Sequence, residues 1–98
     1  MSIKVYVDDV RFPKTWGWVV CATYADAIFT LEKFWDKIDE LSLDHDLGEE
    51  KSGYDIAKWI EERIEMDGWK PIPKMYVHSA NPVGIQNIMA VFNKYNKE

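Results

Sequence analysis

The chain has a single cysteine, Cys21, and so cannot build an internal disulfide framework. It suits a reducing compartment, and a cytoplasmic setting is expected. Long apolar runs are missing as well: none exceeds a few residues, whereas a membrane-crossing helix needs about 20. The opening Met1-Ser2-Ile3-Lys4 has no mark of a secretory leader, so neither membrane insertion nor export is expected. A basic excess is also lacking. Twelve Lys and Arg stand against seventeen Asp and Glu, a formal net charge of −5, so the surface as a whole repels phosphate backbones and anionic membranes. That excludes sequence-blind coating of extended duplex nucleic acid. No repeat, linker or low-complexity tract interrupts the 98 residues, which leave room for one domain over residues 1–98. With 47% hydrophobic and 14% aromatic residues, that domain can bury its own core. Histidine is scarce too: both imidazoles, His45 and His78, directly follow strand-like apolar segments.

The pattern along the chain alternates strands with helices. Ile3-Lys4-Val5-Tyr6-Val7 is β-branched and aromatic and stops at Asp8-Asp9, which makes it a strand with an acidic end. Pro13 keeps the following stretch irregular, and Trp18-Val19-Val20-Cys21-Ala22 reads as a second, buried strand. Thr23 then caps a helix in which Ala27, Ile28, Leu31, Trp35 and Ile38 recur at helical spacing, ending near Lys37. A third strand, Glu40-Leu41-Ser42-Leu43, runs into Asp44-His45-Asp46 and a polar loop through Gly53. Ser52 caps the next helix, with Ile56, Ile60 and Ile64 on one face, and Gly68 stops it. Pro71 and Pro73 break the linker before a fourth strand, Lys74-Met75-Tyr76-Val77, which ends at His78-Ser79-Ala80-Asn81. Asn81-Pro82 opens a last helix that Ile85, Ile88, Met89 and Phe92 carry to the C-terminus.

Such βα units predict an α/β fold: a mostly parallel four-stranded sheet with three helices on its faces. The link between the first two strands is shorter than the dozen residues a helical crossover takes, so it is an extended return or an antiparallel turn. The extended return is the reading favoured here.

In a parallel sheet all strand carboxyl ends share one edge, and ligands bind in the crevice beyond it. Three polar clusters should therefore converge: Asp8, Asp9 and Arg11; Asp44, His45 and Asp46; His78, Ser79 and Asn81. Asp8-Asp9 is either a plain turn or, with Asp44, a seat of hard oxygens for Mg²⁺, which in turn holds phosphate. His45 and His78 are either structural, or a base and an acid for one phosphoryl-transfer step. Zinc held by the histidines and Asp44 or Asp46 ranks lower, because the short-spaced His or Cys pairs that mark zinc are missing. Ser79 is a phosphate donor or a strand-end serine; Asn81 is foremost a helix cap, whose helix start offers amides to an anion. Arg11 suits a phosphate fork or a surface ion pair equally. Phe12 and Trp16, on the irregular first loop, are candidates to stack a base.

The acidic pair Asp8-Asp9, Asp44 and Ser79-Ala80 resemble the acidic pair, phosphoacceptor and Thr/Ser-Ala of response-regulator receiver domains. The fuller series is more particular: Asp8-Asp9-Val10-Arg11-x-Pro13, Ser42 to Gly48, Gly53-Tyr54-Asp55 and Val77 to Gly84. Over nearly the whole chain it resembles the receiver-like family proposed to process cyclic phosphates. The resemblance implies a small, truncated receiver-like (flavodoxin-like) fold and a catalytic edge of Asp8, Asp9, Asp44, His45 and His78. It implies 2′,3′-cyclic phosphate ends of RNA or cyclic nucleotides as substrates, the setting of RNA repair. An ordinary receiver differs in carrying a lysine after a fifth strand, which cannot be assigned here, and in lacking the two histidines.

The expected function is accordingly a metal-assisted phosphoesterase or nucleotide-phosphate-binding domain. His45, His78 and Asp44 are the expected catalytic residues, Arg11, Ser79 and Asn81 the phosphate ligands, and Asp8, Asp9 and Asp44 the Mg²⁺ ligands. Its partner is a small phosphate, a nucleotide or an RNA terminus. The alternatives are a receiver-type phosphoacceptor at Asp44 and a non-catalytic nucleotide-binding or protein-interaction module.

Overall fold

Each helix begins where a short polar side chain can take an orphan amide of its first turn. In the computed structural model, which describes residues 2–96, Thr23 accepts from the Asp26 amide and opens α1 (Tyr24–Phe34). Ser52 and Asp55 form a reciprocal capping box at the start of α2 (Gly53–Asp67), which ends on Gly68 in the left-handed conformation. Asn81 accepts from the Gly84 amide and Pro82 takes the first position of α3 (Pro82–Phe92). The strands are β1 (Ile3–Val7), β2 (Trp18–Cys21), β3 (Ile38–Leu43) and β4 (Lys74–Val77).

All pairings are parallel and the spatial order is β2-β1-β3-β4. That order reproduces the first four strands of the flavodoxin-like doubly wound sheet, with its switch point between β1 and β3. Residues 8–17 carry the chain from β1 to β2 as an extended, helix-free return, as the short link required. The expected span of the domain, residues 1–98, includes residues 1, 97 and 98, which lie outside the described ones.

The pleat sorts the strands into two faces. Val5, Val7, Leu41, Leu43 and Met75 are essentially inaccessible and form a single core with Ala27 and Leu31 of α1, Ile56 and Ile60 of α2, and Ile88 and Phe92 of α3. Burying each of these side chains larger than alanine contributes about 1.5–3 kcal/mol. Two successive crossovers of one hand put α1 and α2 on that side, and α3, which follows β4, packs there against α2. The opposite face, with Lys4, Tyr6, Trp18, Val20, Glu40, Ser42, Lys74 and Tyr76, contributes nothing to the core cluster and carries no helix among the described residues.

The parallel four-stranded sheet with three helices is as expected, and the helices share one face; the expectation of a buried second strand is corrected. β2 is an edge strand whose Val19 and Val20 are 40% and 39% exposed, since one side has no covering helix and the outer edge has no neighbouring strand. The first helix stops at Phe34 and a tight 3₁₀ turn, Trp35–Lys37, follows it; Trp35 and Ile38 remain buried, but Ile38 already belongs to β3. The last helix ends at Phe92, capped by Asn93, before the expected C-terminal point.

Candidate functional site

The sheet register sets the site. Val7 pairs with Cys21 and with Leu43, and Leu43 pairs with Val77, so the residues that follow β1, β3 and β4 stand side by side. Their amides continue the ladder: Asp8 donates to the Cys21 carbonyl, Asp44 to Val7 and His78 to Leu43, at 2.9–3.0 Å. Asp8, Asp44 and His78 share the pleat parity of Tyr6, Ser42 and Tyr76, which places them on the helix-free side.

There they form one network. Asp8 is 2% exposed, and its Oδ1 accepts from the amides of Val10 and Arg11 at 2.9 Å each. Its Oδ2 receives Arg11 Nε and His78 Nε2, both at 3.1 Å. A carboxylate offers about four acceptor positions, and all four are taken. Arg11 reaches further, with Nη2 3.2 Å from Asp44 Oδ1, so one half-exposed guanidinium spans two buried carboxylates. Carboxylate oxygens of Asp8, Asp9 and Asp44 all lie within 4.8 Å of one another. Three hard oxygen donors this close fit a Mg²⁺-like cation, and Arg11 now supplies positive charge at two of them.

Burial alone would push the Asp8 carboxyl up. The Arg11 and Val10 amides, the charge of Arg11 and, in acid where it is protonated, that of His78 outweigh it and hold the group below its ordinary range. For His78, burial pushes the imidazole below its ordinary value, against the opposing pull of Asp8 and Asp44. His78 is therefore neutral at neutral pH. An ionised Asp8 can only accept, so Nε2 carries the proton and Nδ1 faces the Ser42 hydroxyl, 2.6 Å away. Tyr6 stacks on the other side of the imidazole at 4.0 Å between centroids and 9° between planes.

His45 stands elsewhere, and the expected meeting of the two imidazoles does not occur. Its Nδ1 bonds Asp46 Oδ1 at 3.0 Å, and its ring lies so close to Gly84 at the start of α3 that any Cβ there would overlap it. That bond is the main reason the Asp46 carboxyl lies below its ordinary range. Asp46 also accepts from Asn81 Nδ2 at 3.4 Å. Asn81 caps α3, and the Ser79 hydroxyl accepts the Asn81 amide at 3.1 Å, so two of the three expected phosphate ligands hold the loop in place. Gly53 is similarly forced: a side chain there would run into the Asp44 carbonyl, and its amide donates to the His45 carbonyl at 2.7 Å. No three-ligand set that includes a histidine converges among the described residues, so the zinc alternative finds no support.

Two cavities flank Arg11. One, of about 410 Å³, lies at the strand-end edge against Asp9, Asp44, Asp46, Gly48 and Ala80. The other, of about 530 Å³, opens on the helix-free face against Tyr6, Phe12, Trp18 and His78. Ser42 and Tyr6 join the site although no chemical motif in the sequence marks them. Their signal was parity: each sits two residues before an acidic strand end, Asp44 and Asp8.

Strand order, the acidic switch point and the crossing Arg11 define a receiver-like α/β domain with an acidic, arginine-spanned cluster at its strand ends. Residues 3–94 match the cyclic-phosphate processing receiver domain, and the chain belongs to that family. Searches of curated proteins and of solved structures return no match. No described helix is long and apolar enough to cross a membrane.

Proposed function

We propose that the domain is a metal-assisted phosphoesterase that opens 2′,3′-cyclic phosphates, on nucleotides or on RNA termini as in RNA repair. The observation that carries this reading is the convergence of Asp8, Asp9 and Asp44 with Arg11 and a neutral His78 at one strand-end edge. Asp8, Asp9 and Asp44 would hold Mg²⁺, which when bound neutralises charge on the phosphate oxygens. Arg11, freed from one carboxylate, forks onto the phosphate. Were Asp8 to turn its Oδ2 from His78 toward the cation, the imidazole could move its proton from Nε2 to Nδ1, where the Ser42 hydroxyl accepts it, and present Nε2 as base to water. The water oxygen bonds to phosphorus, one ribose P–O bond breaks, and the released ribose oxygen takes up a proton, giving a monoester. His45 holds Asp46 and the α3 start and shapes the edge. The buried, unpaired Cys21 goes with a cytoplasmic location.

The test is conversion of 2′,3′-cyclic nucleotides and cyclic-phosphate-ended RNA, with and without Mg²⁺. Mg²⁺-dependent monoester formation is expected in the wild type, reduced at least about a hundredfold in Asp8→Asn. Absence of turnover, or full turnover in Asp8→Asn, overturns the reading. Acetyl phosphate serves as the control: stable labelling of Asp44 would point to phosphoacceptor chemistry instead.

A further inference from the structure

The cavity of about 530 Å³ on the helix-free face is not explained by phosphate chemistry alone. Its walls are aromatic where the neighbouring crevice is acidic. Tyr6 and Trp18 meet edge to face at 5.7 Å between centroids, and Trp18 is fixed by a hydrogen bond from Nε1 to the Thr15 hydroxyl at 2.9 Å. Phe12, from the helix-free return, lines the mouth with 76% of its surface exposed, which leaves its ring face free to stack. Pro13 stiffens the chain behind it. The inner wall is Arg11 and His78, the residues that also line or contact the acidic cluster.

The volume lies within the range of small-ligand pockets. Stacking on aromatic side chains is how proteins hold bases without reading their edges. A phosphate at Arg11 would place its attached ribose and base at this mouth, whereas the acidic crevice on the other side of Arg11 has no aromatic wall. From this continuity we infer that the cavity is a base subsite: the ligand is a base carried on a phosphorylated ribose, stacked against Phe12 and Trp18. The inference rests on the phosphate reading of the strand-end edge. Trp16, also a stacking candidate from the sequence, is 94% exposed and lies outside this cavity.

The experiment measures binding rather than turnover. Calorimetry on the full chain in Mg²⁺ compares 3′-AMP and 3′-UMP with ribose 3-phosphate and inorganic phosphate, and a short RNA with a 3′-phosphate forms a further arm. Both mononucleotides are expected to bind about tenfold more tightly than ribose 3-phosphate, with little preference between the bases. In Phe12→Ala, an exposed-loop change that leaves the core intact, that ratio falls toward one; Trp18→Ala gives the same result if it folds. RNA tighter than mononucleotide marks the terminus of a polymer as the source of the base, and equal affinity marks the free nucleotide; both support the subsite. Equal affinity for ribose 3-phosphate and the nucleotides, with binding intact, overturns the base subsite alone. No binding by any probe overturns the phosphate reading and the subsite together.

Discussion

The two faces of this sheet are built from the same four strands and do opposite work. On one, Val5, Val7, Leu41, Leu43 and Met75 lock against three helices and supply the stability. On the other, alternate residues of the same strands are left without a helix, and the sequence there turns to Tyr6, Trp18, Ser42 and Tyr76, running out into Asp8, Asp44 and His78. Parallel sheets are ordinarily covered on both sides. Leaving one side open removes packing energy but gives a ligand access to the strand ends and to the sheet face beside them. The two histidines show the same division: His78 belongs to the open side and bonds Asp8, while His45 is pinned under the α3 start.

The largest test of this division is a pair of truncations. Leu41→Ala, on the covered face, should cost about 2–5 kcal/mol by denaturant melts, whereas Tyr76→Ala on the open face should cost well under about 1 kcal/mol. Comparable losses would dissolve the distinction.

Next comes the pair of imidazoles. His78→Gln should lower turnover of a 2′,3′-cyclic nucleotide about a hundredfold, with His45→Gln causing a clearly smaller loss through a displaced loop. The reverse ranking would move the base to the helix side.

Arg11→Ala offers a subtler probe. It leaves Asp8 and Asp44 facing each other without the guanidinium that spans them, so melting temperature should fall in chelator and recover in Mg²⁺ by more than in the wild type. Equal Mg²⁺ effects in both proteins would mean that cation and Arg11 do not share those carboxylates.

The smallest effect is on pH dependence. Because the folded protein holds His78 below its ordinary value near 6.5, the unfolded chain binds that proton first as pH falls. Its contribution to stability is complete above about pH 6.5 and is lost as pH drops toward the lower folded value. His78→Gln should flatten the stability profile between neutrality and that value. An unchanged slope would assign the acid sensitivity to other groups.

Much of the fold was legible because its signals are local. The caps at Thr23, Ser52 and Asn81 and the boundaries of β1 and β4 follow from single residues and short periodicities. The convergence of Asp8, Asp44 and His78 followed from the shared carboxyl edge of a parallel sheet, whereas the strand order was implied only by the receiver resemblance. What escaped was which side each side chain takes. His45 and His78 both follow strands, but His45 lies one residue beyond the register position of Asp8 and His78, so parity turns it away. The open face escaped for a different reason. A missing helix leaves no residue to read, only a short link whose consequence, the exposure of β2, appears once the layers are assembled.

The central claim, that the open side and its strand ends form the ligand site, is most directly tested by mapping backbone amide shifts on titration with Mg²⁺ and then inorganic phosphate. The account predicts that the amides of Asp8, Asp9, Arg11, Asp44 and His78 move together and saturably, with those of Ile56, Ile60 and Ile88 still. Saturable shifts centred on the helix layer, or none at the strand ends, would contradict it.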